Sequence, residues 1–265
     1  MENHTTNILC HKNNWVTTIT INRPRYHNSI TADMWENLTR TLLKLDEDPD
    51  TRCIIIAGAG DKAFSAGADI HEFQTQRINS TTGKIYNHKV DTLLSTIRNL
   101  QTPIIAMING IAAGGGCEIS VACDLRIAST DCKIGIPVAR LGITIGHTEM
   151  KSLVELVGRS TALYILLSAK LLDSSEALRV GLVNQVVAKE NLQSVTQELA
   201  QQISNLAPLS HSVNKMTLNQ IYEIPDLKNL NDEQRALPLN QFDTDDYHEG
   251  FNAFLEKRSP QFKGK

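Results

Sequence analysis

The apolar and polar positions divide the chain into two regimes, with the change at about residue 146. In the first regime, Trp15–Ile21 is rich in Thr, Val and Ile and predicts a strand, closed by Asn22-Arg23-Pro24. Ile30, Met34, Trp35, Leu38, Leu42 and Leu45 recur at helical spacing and predict a helix, with Thr31 as its N-cap and Asp33 in its first turn. Beyond the loop Asp46–Asp50, Cys53–Ala57 is wholly apolar and Ile-rich, the pattern of a buried strand. The same grammar returns at Ile104–Ile108. Asn109-Gly110 and a small-residue helix start at Ala112–Ile119 follow, then an alternating strand at Leu125–Ala128.

In the second regime helices dominate. Glu149–Val157, Thr161–Leu167 and Ser174–Val180 predict short ones, with Gly181 ending the last and Val183–Val187 forming a strand. Leu192, Val195, Leu199 and Ile203 mark a longer helix that stops before Pro208, and Val213, Met216 and Ile221 mark another. Asp245–Lys257 closes the series, with Phe251, Phe254 and Leu255 on one side. Strand-helix units first and helices last predict an α/β core with a helical C-terminal part.

Composition narrows the function classes. With 265 residues, 41% of them apolar, and no apolar run of spanning length, the chain reads as an ordinary globular one. Its 26 basic and 29 acidic side chains argue against a broad nucleic-acid grip. Cys10, Cys53, Cys117, Cys123 and Cys132 include no C-x-x-C pair and read as reduced thiols. Met1–Asn14 is polar and shows no targeting pattern, so a cytoplasmic enzyme is the expectation.

Three glycine clusters carry candidate chemistry. Gly58-Ala-Gly60-Asp-Lys-Ala63 follows a strand in G-x-G-x-x-A spacing, but Phe64-Ser65-Ala66-Gly67 breaks any helix after it. A dinucleotide loop needs that helix, so a turn after a core strand is the better reading. The other two, Phe64–Ile70 and Asn109–Glu118, place small residues at helix starts. Free N–H groups and the dipole favour negative charge there, and two such amides converging on one oxygen make an oxyanion hole.

In order along the chain, these motifs resemble the crotonase, or enoyl-CoA hydratase/isomerase, superfamily. Lys62-Ala63-Phe64-Ser65-Ala66-Gly67-Ala68-Asp69-Ile70 is similar to its first signature. Asn109–Glu118 followed by Cys123-Asp124-Leu125-Arg126-Ile127-Ala128 is similar to its second. The opening Asn22–Asn28 and the ending Thr244–Arg258 resemble the family's ends. The resemblance implies an α/β spiral of ββα units over 1–200, with a helical C-terminal region over 201–265 that mediates trimers, often paired into hexamers. It implies an acyl-CoA substrate and an enolate-like intermediate. It implies no metal, and no cofactor beyond the coenzyme A of the substrate itself.

Residue by residue, the resemblance assigns the amides of Ala68 and Gly115 to the thioester oxygen and Glu118 to proton transfer. Ala66, Asp69 and Ile70 fall beside them at the substrate. Arg25 and Lys62 fall where the family places cations for the CoA phosphates. Phe254 and Lys257 fall where a neighbouring subunit reaches the nucleotide. The acyl pocket's wall falls in 74–89, a stretch with no decisive feature. The second catalytic glutamate is expected right after the proline of Ile134–Gly142, and that position is Val138. Glu149 is the candidate stand-in and His147 a weaker one; both are also ordinary residues for a helix start. Reversible hydration of a 2-enoyl-CoA ranks first. Double-bond isomerisation or other thioester-enolate chemistry is the alternative within the class, because of Val138. A non-catalytic acyl-CoA or RNA binder is the alternative outside it. The helix from Trp35 to Lys44, followed by Asp46-Glu47-Asp48, lacks a phosphate-binding footprint.

Overall fold

A computed structural model describes residues 6–265. Strands β1 (Ile8–Asn13) and β2 (Val16–Ile21) form a hairpin that leads through a turn at Pro24–Tyr26 to helix α1 (Ala32–Asp46). Strands β3 (Cys53–Gly58) and β4 (Ala63–Ser65) precede helices α2 (Phe73–Gln76) and α3 (Ser80–Asn99). The pattern repeats as β5 (Ile104–Ile108), β6 (Ile111–Ala113) and α4 (Gly115–Ala122), and again as β7 (Leu125–Ser129), β8 (Lys133–Gly135) and α5 (His147–Ser168). Then come β9 (Leu172–Asp173), α6 (Ser174–Arg179), β10 (Gln185–Val187) and α7 (Leu192–Ser204). Helices α8 (Pro208–Glu223), α9 (Asp232–Ala236) and α10 (Asp245–Glu256) finish the chain.

Each repeat contributes its first strand to one sheet and its second to another. The larger sheet runs β1-β2-β3-β5-β7-β10, parallel except for the β1–β2 hairpin. The smaller runs β4-β6-β8-β9, with only β9 antiparallel. This is the ββα spiral that the resemblance implies. Every residue of β3 is buried, as a central parallel strand covered on both faces requires. Ile54 and Ile56 face a core shared with Met34, Trp35, Leu38 and Leu42 of α1 and Leu93 and Ile97 of α3. Cys53 and Ile55 face the other way, onto Leu192 and Ala200 of α7. The 200/201 division implied by the resemblance falls inside α7, whose burial against the sheet continues to Ser204.

Several sequence readings are corrected. Ala112 and Ala113 belong to β6, not to a helix start; α4 begins at Gly115, because Ala112 and Ala113 pair with Ile134 and Gly135 of β8. The strands β4, β6 and β8 have three residues each, too few for a periodic signal. Thr31 stands at the N-cap of α1, but its side chain makes no capping bond. The Ala32 N–H instead donates to Glu72 Oε2 at 2.6 Å, so a residue 40 positions away caps the helix. The stretch 74–89, without a decisive feature in the sequence, holds the end of α2 and the start of α3, where Asn79 and Thr82 form a capping box.

Candidate active site

A cleft of about 760 Å³, open to solvent, lies where α1, α2, α3, α4 and the start of α5 meet. Ala66, Ala68, Ile70, Gly115, Glu118, Val138 and Glu149 all line it. Segments far apart in sequence are thereby gathered around one space, as the motifs require.

The amide pair forms from two backbone arrangements. Gly67 has φ of +91°, and a Cβ there would stand 2.6 Å from the Ala113 carbonyl and 2.9 Å from the Gly115 nitrogen. Only glycine admits both the conformation and the approach. A Cβ on Gly115 would stand 2.8 Å from the Trp35 ring and 3.5 Å from the Ala68 nitrogen, so the Ala68 and Gly115 amides are neighbours. Ile30 N–H donates to Gly67 and Asp69 N–H donates to Ile30, which leaves the Ala68 N–H between them unused. Gly115 is the first residue of α4, where an N–H has no helical acceptor. Among the described residues neither amide donates a backbone hydrogen bond, and both line the cleft. Two free, preorganised donors side by side at a helix N-terminus suit a developing oxyanion.

The opening motif braces this geometry from below. Asn28, buried and at φ 57°, donates to the Ala59 and Ala63 carbonyls at 2.9 and 2.7 Å. Ser65 Oγ donates to Asn28 O at 2.8 Å and accepts from Gly67 N–H at 3.1 Å. Arg23 pairs with Asp69 at 2.9 Å, and Asp69 caps the turn at Ile70 by accepting from His71 N–H. Burial works against the Asp69 charge, but the Arg23 and His71 bonds hold its carboxyl below the usual carboxylate range. Asp69 therefore supports the amide segment and does not line the cleft.

Glu118 sits on the first turn of α4. It keeps part of its surface open to the cleft, yet protein packs around its carboxyl closely enough to push its pKa up to about 8. Burial is the main cause; the charges of Glu149 and Asp91 add to it, and Arg77 opposes it. Glu149 lies in the first turn of α5 and is 7% exposed, not solvated as an ordinary helix-start residue would be. Its Oε2 has no hydrogen-bond partner, and burial raises its pKa as well. Gly146 makes room for it: a Cβ there would stand 2.7 Å from Glu149 Oε2. Val138 forms an apolar wall of the same cleft. His147 is exposed and outside the lining. Two carboxyl groups with raised pKa values in one cleft are the arrangement that proton transfer at neutral pH needs.

The sequence profile of the enoyl-CoA hydratase/isomerase family matches residues 11–265. The chain belongs to that family. The short-chain-enoyl-CoA hydratase of Clostridium acetobutylicum is 34% identical over 252 residues, covering 95% of each chain. The crotonyl-CoA hydratase of Syntrophomonas wolfei is 34% identical over 259 residues, covering 98% of each. Among solved structures, an enoyl-CoA hydratase/carnithine racemase from Magnetospirillum magneticum superposes with a TM-score of 0.93 at 31% identity, covering 98% of this chain and 97% of that one.

Other residues implied by the family resemblance lie apart from the cleft. Arg25 and Lys62 are exposed on turns that approach each other, since a Cβ on Gly60 would stand 3.5 Å from Pro24. Phe254 is 81% exposed on α10, and Lys257 ends that helix in the left-handed conformation. None of the four lines the cleft. Sequence reasoning missed Trp35 and Tyr86, which wall the cleft: Trp35 stands in the apolar stripe of α1 and reads as core, and Tyr86 lies in the stretch 74–89 that showed no decisive feature. It also missed Arg77, which lies in a polar stretch without periodicity.

Proposed function

We propose that this enoyl-CoA hydratase/isomerase family member adds water reversibly to a 2-enoyl-CoA. The observation that carries the reading is that Glu118 and the buried Glu149 line one cleft with the free Ala68 and Gly115 amides. The thioester oxygen takes both N–H groups. One carboxyl, ionised, accepts a proton from water as the water oxygen bonds to C3. The π electrons of C2=C3 move onto the thioester as an enolate, whose charge the two amides stabilise by several kcal/mol, about 3 for each donor. The other carboxyl, protonated, delivers its proton to C2 as the enolate collapses. The charge of Glu149 disfavours ionisation of Glu118, so the two carboxyls do not lose their protons together. Glu149 thereby takes the role that a carboxylate at position 138 would have. Ala66 and Ile70 flank the acyl group, and Asp69 holds their segment in place.

Arg25 and Lys62 supply positive charge for the CoA phosphates, and coenzyme A enters only as part of the substrate. The exposed apolar face of α10 and the preceding turn, with Phe242, Phe251, Phe254 and Leu255, supports a homotrimer or hexamer built by the helices after α7. In such an assembly Phe254 and Lys257 reach the nucleotide of a neighbouring subunit's substrate. Five unpaired cysteines support a reducing compartment, the cytosol. Among the described residues no helix is long and apolar enough to cross a membrane.

The test is mass-spectrometric turnover of a panel of 2- and 3-enoyl-CoA thioesters in heavy water. Hydration adds water and one deuterium at C2. Exchange or double-bond migration without added water would refute the hydratase reading, and the absence of any turnover would leave only a binder.

A further inference from the structure

The cleft holds a cation that the hydration chemistry does not use. Arg77 follows α2 and lines the cleft beside Ile70, Phe73, Val90 and Ile143. Its Nη2 donates to Asn87 Oδ1 at 2.8 Å. Its guanidinium carbon lies 4.8 Å from the Phe73 ring centre and 4.3 Å from that of Tyr86. Those rings are fixed in turn: they meet edge to face at 6.3 Å, and Trp35 Nε1 donates to the Tyr86 hydroxyl at 2.8 Å. Arg77 has thus already lost the rotamer freedom that a ligand would otherwise have to freeze.

What it lacks is a counter-ion. Among the described residues it forms no ion pair, and its buried Nε has no hydrogen-bond partner. Its charge eases the burial of Glu118 and Glu149, but from beyond ion-pair distance, and both carboxyls stay raised. A hydrocarbon acyl chain would desolvate the guanidinium further and offer it nothing. A carboxylate matches its planar fork with two parallel N–H···O bonds.

We infer that Arg77 selects acyl-CoA thioesters whose acyl group carries a second, free carboxylate, the monothioesters of dicarboxylic acids. The inference rests on the acyl-CoA reading above and deepens it. The carboxylate pairs with the stacked guanidinium while the thioester oxygen sits on the Ala68 and Gly115 amides.

The experiment compares three probes of matched length: the CoA monothioester of trans-2-hexenedioic acid, its methyl ester, and trans-2-hexenoyl-CoA. The wild-type protein is expected to favour the free acid over both neutral probes by about tenfold or more in kcat/KM, mainly through KM. Equal or inverted preference overturns the inference while leaving the hydratase reading intact. In Arg77→Gln the ratio of free acid to methyl ester is expected to fall by about tenfold, and Arg77→Lys, which keeps charge but not the fork, is expected to restore part of it. A general electrostatic role toward Glu118 and Glu149 would change all three probes alike and leave the ratio where it was, which also overturns the inference. If none of the probes is hydrated, the hydratase reading fails separately. Calorimetric binding of the saturated adipyl and hexanoyl monothioesters then decides: tighter adipyl binding upholds the role of Arg77, and equal or weaker binding overturns it.

Discussion

Replacing Glu149 with Gln removes a transferable proton and a negative charge at nearly constant volume. If Glu149 shares proton transfer with Glu118, kcat falls by roughly 10²–10⁴-fold with little change in KM. The titration of the remaining acid moves too. Glu118 has a pKa of about 8 partly because of the Glu149 charge, so in the variant it moves down, while burial keeps it above the ordinary carboxylate range. At pH 7 a carboxyl of that pKa is ionised in only about a tenth of the wild-type molecules, and in more of the variant molecules. Stability responds in a definite direction. Both carboxyls hold protons in the folded state that the unfolded chain releases, so the wild type loses stability as pH rises from the ordinary carboxylate range toward about 8. The variant lacks one of these titrations, and its Tm relative to wild type therefore rises across that window. The assay follows loss of the conjugated thioester absorbance and thermal unfolding at matched pH values. Lower turnover with a Tm gap moving in the variant's favour marks a functional acid held at a cost in stability. Fast wild-type hydration with an unaffected variant would refute the two-carboxyl mechanism. A uniform Tm drop at every pH would make Glu149 structural.

Three further outcomes are expected. Glu118→Gln abolishes most turnover but leaves folding and CoA binding nearly intact; near-wild-type rates in that variant would remove Glu118 from the chemistry. Val138→Glu, which adds a carboxyl to the cleft wall, raises turnover of Glu149→Gln if its side chain reaches the acyl group, as a rescue measured in the double variant. Gly67→Ala places a Cβ 2.6 Å from the Ala113 carbonyl at φ +91° and spoils the amide pair, lowering kcat by about 10²-fold or more, read against an unchanged CoA affinity.

Much of the fold was legible in the chain because its strongest signals are local. The Ile-rich runs of β3 and β5 and the helical stripe of α1 declare their burial by periodicity alone. The two glycine clusters likewise pointed to close backbone approach, which demands small residues wherever it occurs, while Ala68, Gly115 and Glu118 themselves were named only by the family resemblance. Three-residue strands such as β4 and β6 carry no period, and their place in a second sheet depends on partners 48 residues distant, as in Ala63 with Ile111.

The site divides the same way. The family resemblance placed Val138 where a second carboxylate is expected, but a glutamate at a helix start is solvated far more often than buried. Only the folded chain could show Glu149 turned inward, with Gly146 leaving space for its carboxylate and no partner for Oε2. Arg77 lies in a polar stretch of the kind that normally faces water; its stacking on Phe73 of α2 and Tyr86 of α3 is a tertiary contact that no spacing encodes. Backbone conformation and burial pattern are written in short-range residue choice. The charge state of a carboxyl and the counter-ion of a guanidinium are set by whatever tertiary packing brings within a few ångströms of them, and that is decided only when the chain has folded.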